Sequence, residues 1–335
     1  MIPSSFSLHG KYVILCNEKG GILNDPVLLR PAEDEFWFSL SDSTLMFWLQ
    51  GVNVGMDFDV EIDEIDVAPM QIQGPKSVDV LVDLVGEEVR DIPYYGLMDA
   101  EINGASVLVS QTGFSGEKGF EIYVRDATKN AERVWDPALE SVENHGGMQV
   151  APAHHRRIAA GILSWGQDMD HETPPFQVNL GYHVPDDKDG DYIGKEELER
   201  QKALIEDGEY PFSLKMIGLK FAGKPVRDYA PDFWLVSDPE TGEECGYVTS
   251  PWYNPELETN LALAFVPANK LEGQLDDSVY DDELDVEFQV HLPDEYAEEP
   301  GEPVYAKVSK VPFKPSVNPS AREQAKLYAK EDATE

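Results

Sequence analysis

The chain has 335 residues, of which 64 are Asp or Glu and 26 are Lys or Arg, for a net charge of −38, against the magnitude of about 2 to 8 that keeps a small domain soluble. A field of that sign repels phosphate and argues against duplex nucleic acid as a partner, while 41% hydrophobic and 10% aromatic residues argue against a disordered or cation-storing acidic polymer. Self-repulsion of this size is relieved at molar salt, where the Debye length is about 3 Å, so the composition points to a halophilic cytoplasm.

The length predicts about two or three domains. No run approaches the roughly 18 apolar residues of a membrane span, and no basic region followed by an apolar signal core opens the chain. A soluble, cytoplasmic protein without a membrane partner is expected. Cys16 and Cys245 have no Cys-x-x-Cys partner, and His154-His155 lacks the i, i+4 spacing that sets two ligands on one helix face, so no metal site is expected.

In chain order, the first pattern is the apolar run Tyr12 to Cys16, the turn pair Gly20-Gly21 and the run Val27 to Leu29. It reads as strand, glycine turn and strand, with Asp25 held at a rigid edge and Pro26 fixing the backbone beside it. Either the carboxylate caps a turn or it faces a cleft. Glu35 to Leu40 reads as a strand, Ser43 to Gly51 as a short helix capped by Ser41 or Ser43, and Val67 to Ile72 as a strand. Gly74-Pro75 opens a helix to about Val85. Ala100 to Ile102 and Ser106 to Ser110 form a hairpin about Asn103-Gly104. Residues 128–145, 152–165 and 194–205 read as helices.

Between the strands, Thr112 to Glu121 carries three glycines and two aromatic residues, a loop whose backbone can approach a flat ligand closely. Glu121 could receive the paired N–H groups of an amino-pyrimidine edge beneath an aromatic wall, or sit in a surface ion pair. Arg156-Arg157 is a rare cationic spot in so acidic a chain. A guanidinium there could bind a ligand carboxylate, or pair internally with Asp168 or Asp170; the second role is expected of one of the two.

From about Lys215 the period changes to two. Candidate strands are Met216–Phe221, Trp234–Ser237, Cys245–Thr249, Leu261–Val266, Val286–Leu292 and Val304–Val308, an antiparallel barrel or sandwich. The acidic segment Glu272 to Glu302 reads as a solvated loop. The expected class is α+β, with an α+β region over 1–205, a β-barrel over 206–315 and a polar tail over 316–335.

Five ordered motifs carry a resemblance to a known family. They are Cys16 to Asp25, Gln73-Gly74-Pro75-Lys76, Thr112 to Glu121, Gly166 to Asp170 with Pro175-Phe176, and Tyr192 to Glu196. Together they resemble the tetrahydrofolate-dependent aminomethyltransferases, which include the glycine-cleavage T-protein and related demethylases. The resemblance implies a multidomain cloverleaf with a C-terminal antiparallel barrel and tetrahydrofolate as cofactor. By motif match it implies Asp25 as the catalytic carboxylate, Tyr12 and Phe114 as aromatic neighbours of the cofactor, and Glu121 as the grip on its pterin. Phe114 stands where T-proteins usually carry a tyrosine. The arginine that holds the cofactor's tail in T-proteins falls on Ala153, with Arg157 or Arg156 as a substitute.

The segment Asn24-Asp25-Pro26-Val27 and the Trp37-bearing strand look more like the dimethylsulfoniopropionate-demethylase branch, which takes a methyl group from a small methylated donor. A true T-protein would add a lipoyl carrier protein as partner. Family members usually carry several dozen residues ahead of the segment matching Tyr12, so a truncated N-terminus is expected. A folate-binding regulatory protein or a non-catalytic scaffold is the competing class. The regulatory proteins tend to carry a cysteine-bearing glycine motif near the later barrel, and the context of Cys245, Glu243-Glu244-Cys245-Gly246-Tyr247, lacks it.

Overall fold

The computed structural model describes residues 9–41, 44–184, 190–228, 232–271, 275, 284–293 and 301–314. The Ser43 cap, most of the acidic segment 272–302 and the 316–335 tail lie outside them.

The strands in the first half are β1 (Gly10–Tyr12), β2 (Leu15–Cys16), β3 (Ile22–Asn24), β4 (Val27–Ala32), β5 (Glu35–Ser39), β6 (Val67–Gln73), β7 (Leu97–Ile102), β8 (Ala105–Ser110) and β9 (Gly119–Arg125). Interspersed are helices α1 (Leu45–Met56), α2 (Ser77–Val85) and α3 (Ala127–Asn144). Helices α4 (His154–Ala159) and α5 (Lys195–Glu206) follow. The last strands are β10 (Leu214–Phe221), β11 (Trp234–Ser237), β12 (Glu244–Asn254), β13 (Thr259–Pro267), β14 (Glu287–His291) and β15 (Pro303–Ser309).

The chain folds into two compact units. The first holds residues up to Val13 and Asn24–Pro152; the second holds Ile14–Leu23 and the residues from Ala153 onward.

In the first unit, β6, β9, β8 and β7 form a four-stranded antiparallel sheet in that order. Its β7–β8 turn is Asn103-Gly104, both at positive φ (49° and 74°), as the favoured two-residue hairpin turn requires. Alternation then gives β9 two buried faces. Phe120, Ile122 and Val124 pack with Val80 and Leu81 of α2 and Val134 and Ala138 of α3. On α3, Ala127, Asn130, Val134, Ala138 and Ser141 recur at helical spacing and are buried. The opposite face carries Tyr123, which clusters with Leu29 and Trp37 of the smaller β1-β4-β5 sheet.

In the second unit, β10-β13-β12-β11-β14-β15 closes into a barrel through the β10–β15 pairing. The barrel resolves the barrel-or-sandwich alternative. Inward residues alternate along each strand, as with Ile217 and Leu219, or Ala262, Ala264 and Val266.

Two helix readings need correction. The one expected from Ser43 begins at Leu45, with Thr44 at its N-cap position and no side-chain cap bond, and runs to Met56. Gly51, the expected end, and Gly55 meet open space and are simply carried inside it. The helix expected over 152–165 ends at Ala159. Gly161 takes φ +72°, its N–H bonds the Ile158 carbonyl, and the Ile162 N–H bonds back to Arg157. That is a glycine-terminated Schellman cap.

Candidate functional site

In the first unit, Tyr12 ends β1 opposite Val27 in the β1–β4 register. Its hydroxyl donates to Asp25 Oδ2 at 2.9 Å. Asp25 occupies the two-residue link between β3 and β4, where its N–H donates to Asn24 Oδ1 at 3.0 Å, and the Pro26 carbonyl accepts from Val13 at 3.1 Å. The expected single hairpin is absent: β1 pairs with β4, and β2 with β3. Tyr12 and Asp25, read separately, meet directly.

Glu121 lies opposite Gln71 in the β6–β9 register and is only 7% exposed. Gln71 Nε2 donates to its Oε1 at 2.8 Å. Thr112 Oγ1 donates to its Oε2, as does the Tyr123 hydroxyl at 3.1 Å. The surface ion pair is thus replaced by a buried carboxylate among neutral donors. Burial pushes the Glu121 carboxyl up, and the three hydrogen bonds oppose it. Tyr123 is raised by burial and by the neighbouring Glu121 charge.

A carboxylate has roughly four acceptor positions, and three here are taken, leaving one on Oε1. Accepting two parallel N–H groups would require Thr112 or Tyr123 to release Oε2. Phe114, in the adjoining loop, is 37% exposed, as a ring offered to a ligand face would be.

The donors Gln71, Thr112 and Tyr123 were not picked out from sequence. Tyr123 stands two residues from Glu121 on a strand, hence on the same face. Thr112 lies in the same motif as Glu121. Only Gln71, fifty positions away, needed the sheet register.

In the second unit, Asn17 Oδ1 accepts from Lys19 and Gly21, and Asn17 Nδ2 donates to the His171 carbonyl at 2.8 Å. A Cβ on Gly21 would stand 1.9 Å from that same carbonyl oxygen, and one on Gly194 would stand 2.4 Å from the Asn17 oxygen. Trp165 Nε1 bonds Ile22 O at 2.9 Å. Three of the five motifs, far apart in sequence, therefore assemble around the 17–21 turn.

Arg157, expected at the cofactor, is 1% exposed. Its guanidinium bonds Asp168 Oδ2 at 2.8 Å, Ser250 Oγ at 2.8 Å and the Ile162 carbonyl at 3.2 Å. Asp168 also accepts from the Ser164 N–H at 2.9 Å, from Thr249 Oγ1 at 2.6 Å and from Ser250 Oγ. The internal carboxylate pairing thus falls to Arg157. Arg157 also lines a small cavity with His154, Gln167, Thr249, Ser250 and Trp252. His154 stacks on Trp252 at 5.4 Å, and burial lowers its pKa, with the Arg157 charge adding to the effect. Arg156 is half-buried.

Among the described residues, no helix is long and apolar enough to cross a membrane, and no group of three His, Cys, Asp or Glu is placed to hold a metal ion.

Residues 8–188 match the family model of the GCVT N-terminal domain. The chain is 32% identical over 264 residues to the dimethylsulfoniopropionate demethylase DmdA of Ruegeria pomeroyi, covering 76% of this chain and 66% of that protein. It is 32% identical over 272 residues to an aminomethyltransferase of Thermotoga maritima, covering 79% and 70%. It thus spans about two thirds of the length of these relatives. The crystal structure of the glycine cleavage system aminomethyltransferase T from Bartonella henselae matches with a TM-score of 0.72 at 22% identity, over 92% of this chain and 77% of that one. At that identity the likeness establishes the fold.

Proposed function

The chain belongs to the tetrahydrofolate-dependent aminomethyltransferase family of one-carbon transferases, and from that premise we propose that it moves a methyl group from a small methylated donor, such as dimethylsulfoniopropionate, to tetrahydrofolate. The observation that carries this reading is the Tyr12–Asp25 pair, a carboxylate aimed by a neighbouring hydroxyl at 2.9 Å on a proline-fixed link.

Tetrahydrofolate, held by Glu121, Phe114 and Asp25, would supply the nucleophilic nitrogen that takes the methyl group, its proton passing to solvent. The protein's part is orientation and electrostatics, and orientation alone can contribute about 7 to 11 kcal/mol. In this reading Asp25 orients the cofactor's amine and stabilises the positive charge that develops there, while Tyr12 holds Asp25 in line. Glu121 receives the pterin edge and Phe114 covers its face. The residues fit such a ligand: Glu121 keeps an open acceptor position, and the exposed Phe114 ring lies in the loop that leads into the Glu121 strand. Arg157, already neutralised by Asp168, contributes by holding the 164–170 turn and the wall of its cavity.

The choice of donor rests on Asn24-Asp25-Pro26-Val27. An aminomethyl donor on a lipoyl carrier protein is the second reading, favoured by the equal identity to the aminomethyltransferases. Calorimetric titration with tetrahydrofolate at molar salt, followed by transfer assays with a sulfonium donor and with an aminomethylated carrier, separates the two. Methylated folate from the sulfonium donor alone is the expected result. Turnover of the carrier alone would replace the first reading with the second, and folate binding without turnover of either would favour a regulatory role.

A further inference from the structure

We propose that Gln73 is a positioning residue of the folate site, its side-chain amide acting as the pin that holds the 112–119 loop against the end of β6. The proposal rests on the folate reading above for its consequence, and on geometry for its cause.

Gln73 stands directly opposite Gly119 in the antiparallel register. Facing residues in such a ladder have Cβ atoms about 4.5 to 5.5 Å apart, so a side chain opposite glycine has room to fold over its partner. Gln73 does so. A Cβ on Gly119 would lie 2.4 Å from its amide carbon, and a Cβ on Gly113, at the other end of the loop, would lie 2.3 Å from its amide nitrogen. Neither glycine has φ in the left-handed region, so backbone conformation does not demand glycine at either place. The demand is for space.

The amide fills that space with every polar atom used. Nε2 donates to the Thr112 carbonyl at 3.1 Å and the Phe120 carbonyl at 3.4 Å, and Oε1 accepts from Ser115 Oγ at 2.8 Å. Each partner touches the site. Thr112 is the residue whose hydroxyl holds Glu121, Phe120 precedes Glu121, and Ser115 follows Phe114. One amide thus fixes both the carboxylate grip and the aromatic wall. The two glycines and the glutamine form one interlocked element, which explains why the loop motif and the Gln73-Gly74-Pro75 motif occur together in this chain.

The test uses the full chain and four variants: Gln73→Leu, which keeps the shape and removes every hydrogen bond; Gly119→Ala, which keeps Gln73 and takes its space; Gln73→Ala; and the double variant Gln73→Ala with Gly119→Ala. Without ligand, deuterium uptake over 112–120 should rise in Gln73→Leu and in Gly119→Ala while β7 and β8 keep the wild-type rate. With tetrahydrofolate, Gln73→Leu and Gly119→Ala should each weaken binding roughly 5- to 30-fold, the loss of one to two net hydrogen bonds. Turnover at saturating folate should stay within about twofold. Gly119→Ala should cost less than twofold more in the Gln73→Ala background, because the methyl then enters vacated space.

Folate binding by Gln73→Leu within twofold of wild type, or an equal Gly119→Ala penalty in both backgrounds, overturns the proposal. Unchanged deuterium uptake in Gln73→Leu overturns it without reference to any ligand. A wild-type chain that binds no tetrahydrofolate defeats the folate reading instead, and with it the ligand half of the proposal, while exchange still decides the pin.

Discussion

Two of the acidic side chains buried among the described residues, Asp168 and Glu121, are held in different ways. Asp168, in the second unit, meets an opposite charge: the Arg157 guanidinium at 2.8 Å, with Ser164, Thr249 and Ser250 completing its shell. Glu121, in the first unit, meets only the neutral donors Gln71, Thr112 and Tyr123. A buried ion pair with every position filled is closed to further partners, and its function is to hold backbone segments in place. A buried carboxylate without a cation is left with its charge uncompensated and an acceptor position open, so it gains by receiving a ligand's N–H groups. On the proposed reading, the difference is the one between scaffold and site.

The comparison breaks most visibly at Arg157. Arg157→Met leaves Asp168 buried without its counter-charge, and unfolding by denaturant at molar salt should register a loss of about 3 to 5 kcal/mol. Pairing it with Asp168→Leu should recover most of that loss, since removing both charges spares the desolvation cost. A single variant within about 1 kcal/mol of wild type would mean that Asp168 is served well enough by its hydroxyl and backbone donors, and the contrast with Glu121 would fall.

Asp25 tests the opposite kind of residue. Asp25→Asn can still accept the Tyr12 hydroxyl, so the fold and the folate affinity should change little, whereas turnover should fall about 100-fold, a barrier increase of about 2.7 kcal/mol. Tyr12→Phe frees the carboxylate to turn and should cost about tenfold. Normal turnover in Asp25→Asn with normal folate binding would remove Asp25 from the mechanism.

What could be read ahead of the structure followed the range of the forces involved. Short-range rules located the Asn103-Gly104 hairpin, β6, α2, α5 and the six barrel strands, because periodicity and turn chemistry act within a few residues. The same rules overran α4. Gly161, the stop signal, sits inside an apolar run, and only the bonds back to Arg157 and Ile158 reveal it as a cap. Of the proposed site, Asp25, Tyr12 and Glu121 were legible as motif positions. Their partners were less so: Gln71 and Gln73 reach Glu121 and the glycine loop through strand register, from 39 to 50 positions away. Arg157 shows the converse. Its charge made it conspicuous as a ligand group, and the fold buries it at 1% exposure against Asp168.

The smallest effect, and the sharpest on the comparison, is at Glu121. Its carboxyl is raised by burial, so the folded state holds the proton more tightly than the unfolded chain does. Its contribution to stability is then complete below the unfolded value of about 4.3 and is lost as pH rises through the higher folded value. Glu121→Gln keeps the shape and cannot ionise, so it escapes that loss. The stability difference between the variant and wild type should grow in the variant's favour across that window and level off above it. Self-repulsion of the acidic chain is nearly common to both proteins and largely cancels in the difference. Folate affinity should move the other way, falling about tenfold as a charge-assisted acceptor becomes a neutral one. A variant more stable at neutral pH and weaker at binding would mark Glu121 as a group whose burial the fold tolerates for the ligand's sake. A flat stability difference with undiminished affinity would make Glu121 an ordinary core residue, no different in kind from Asp168.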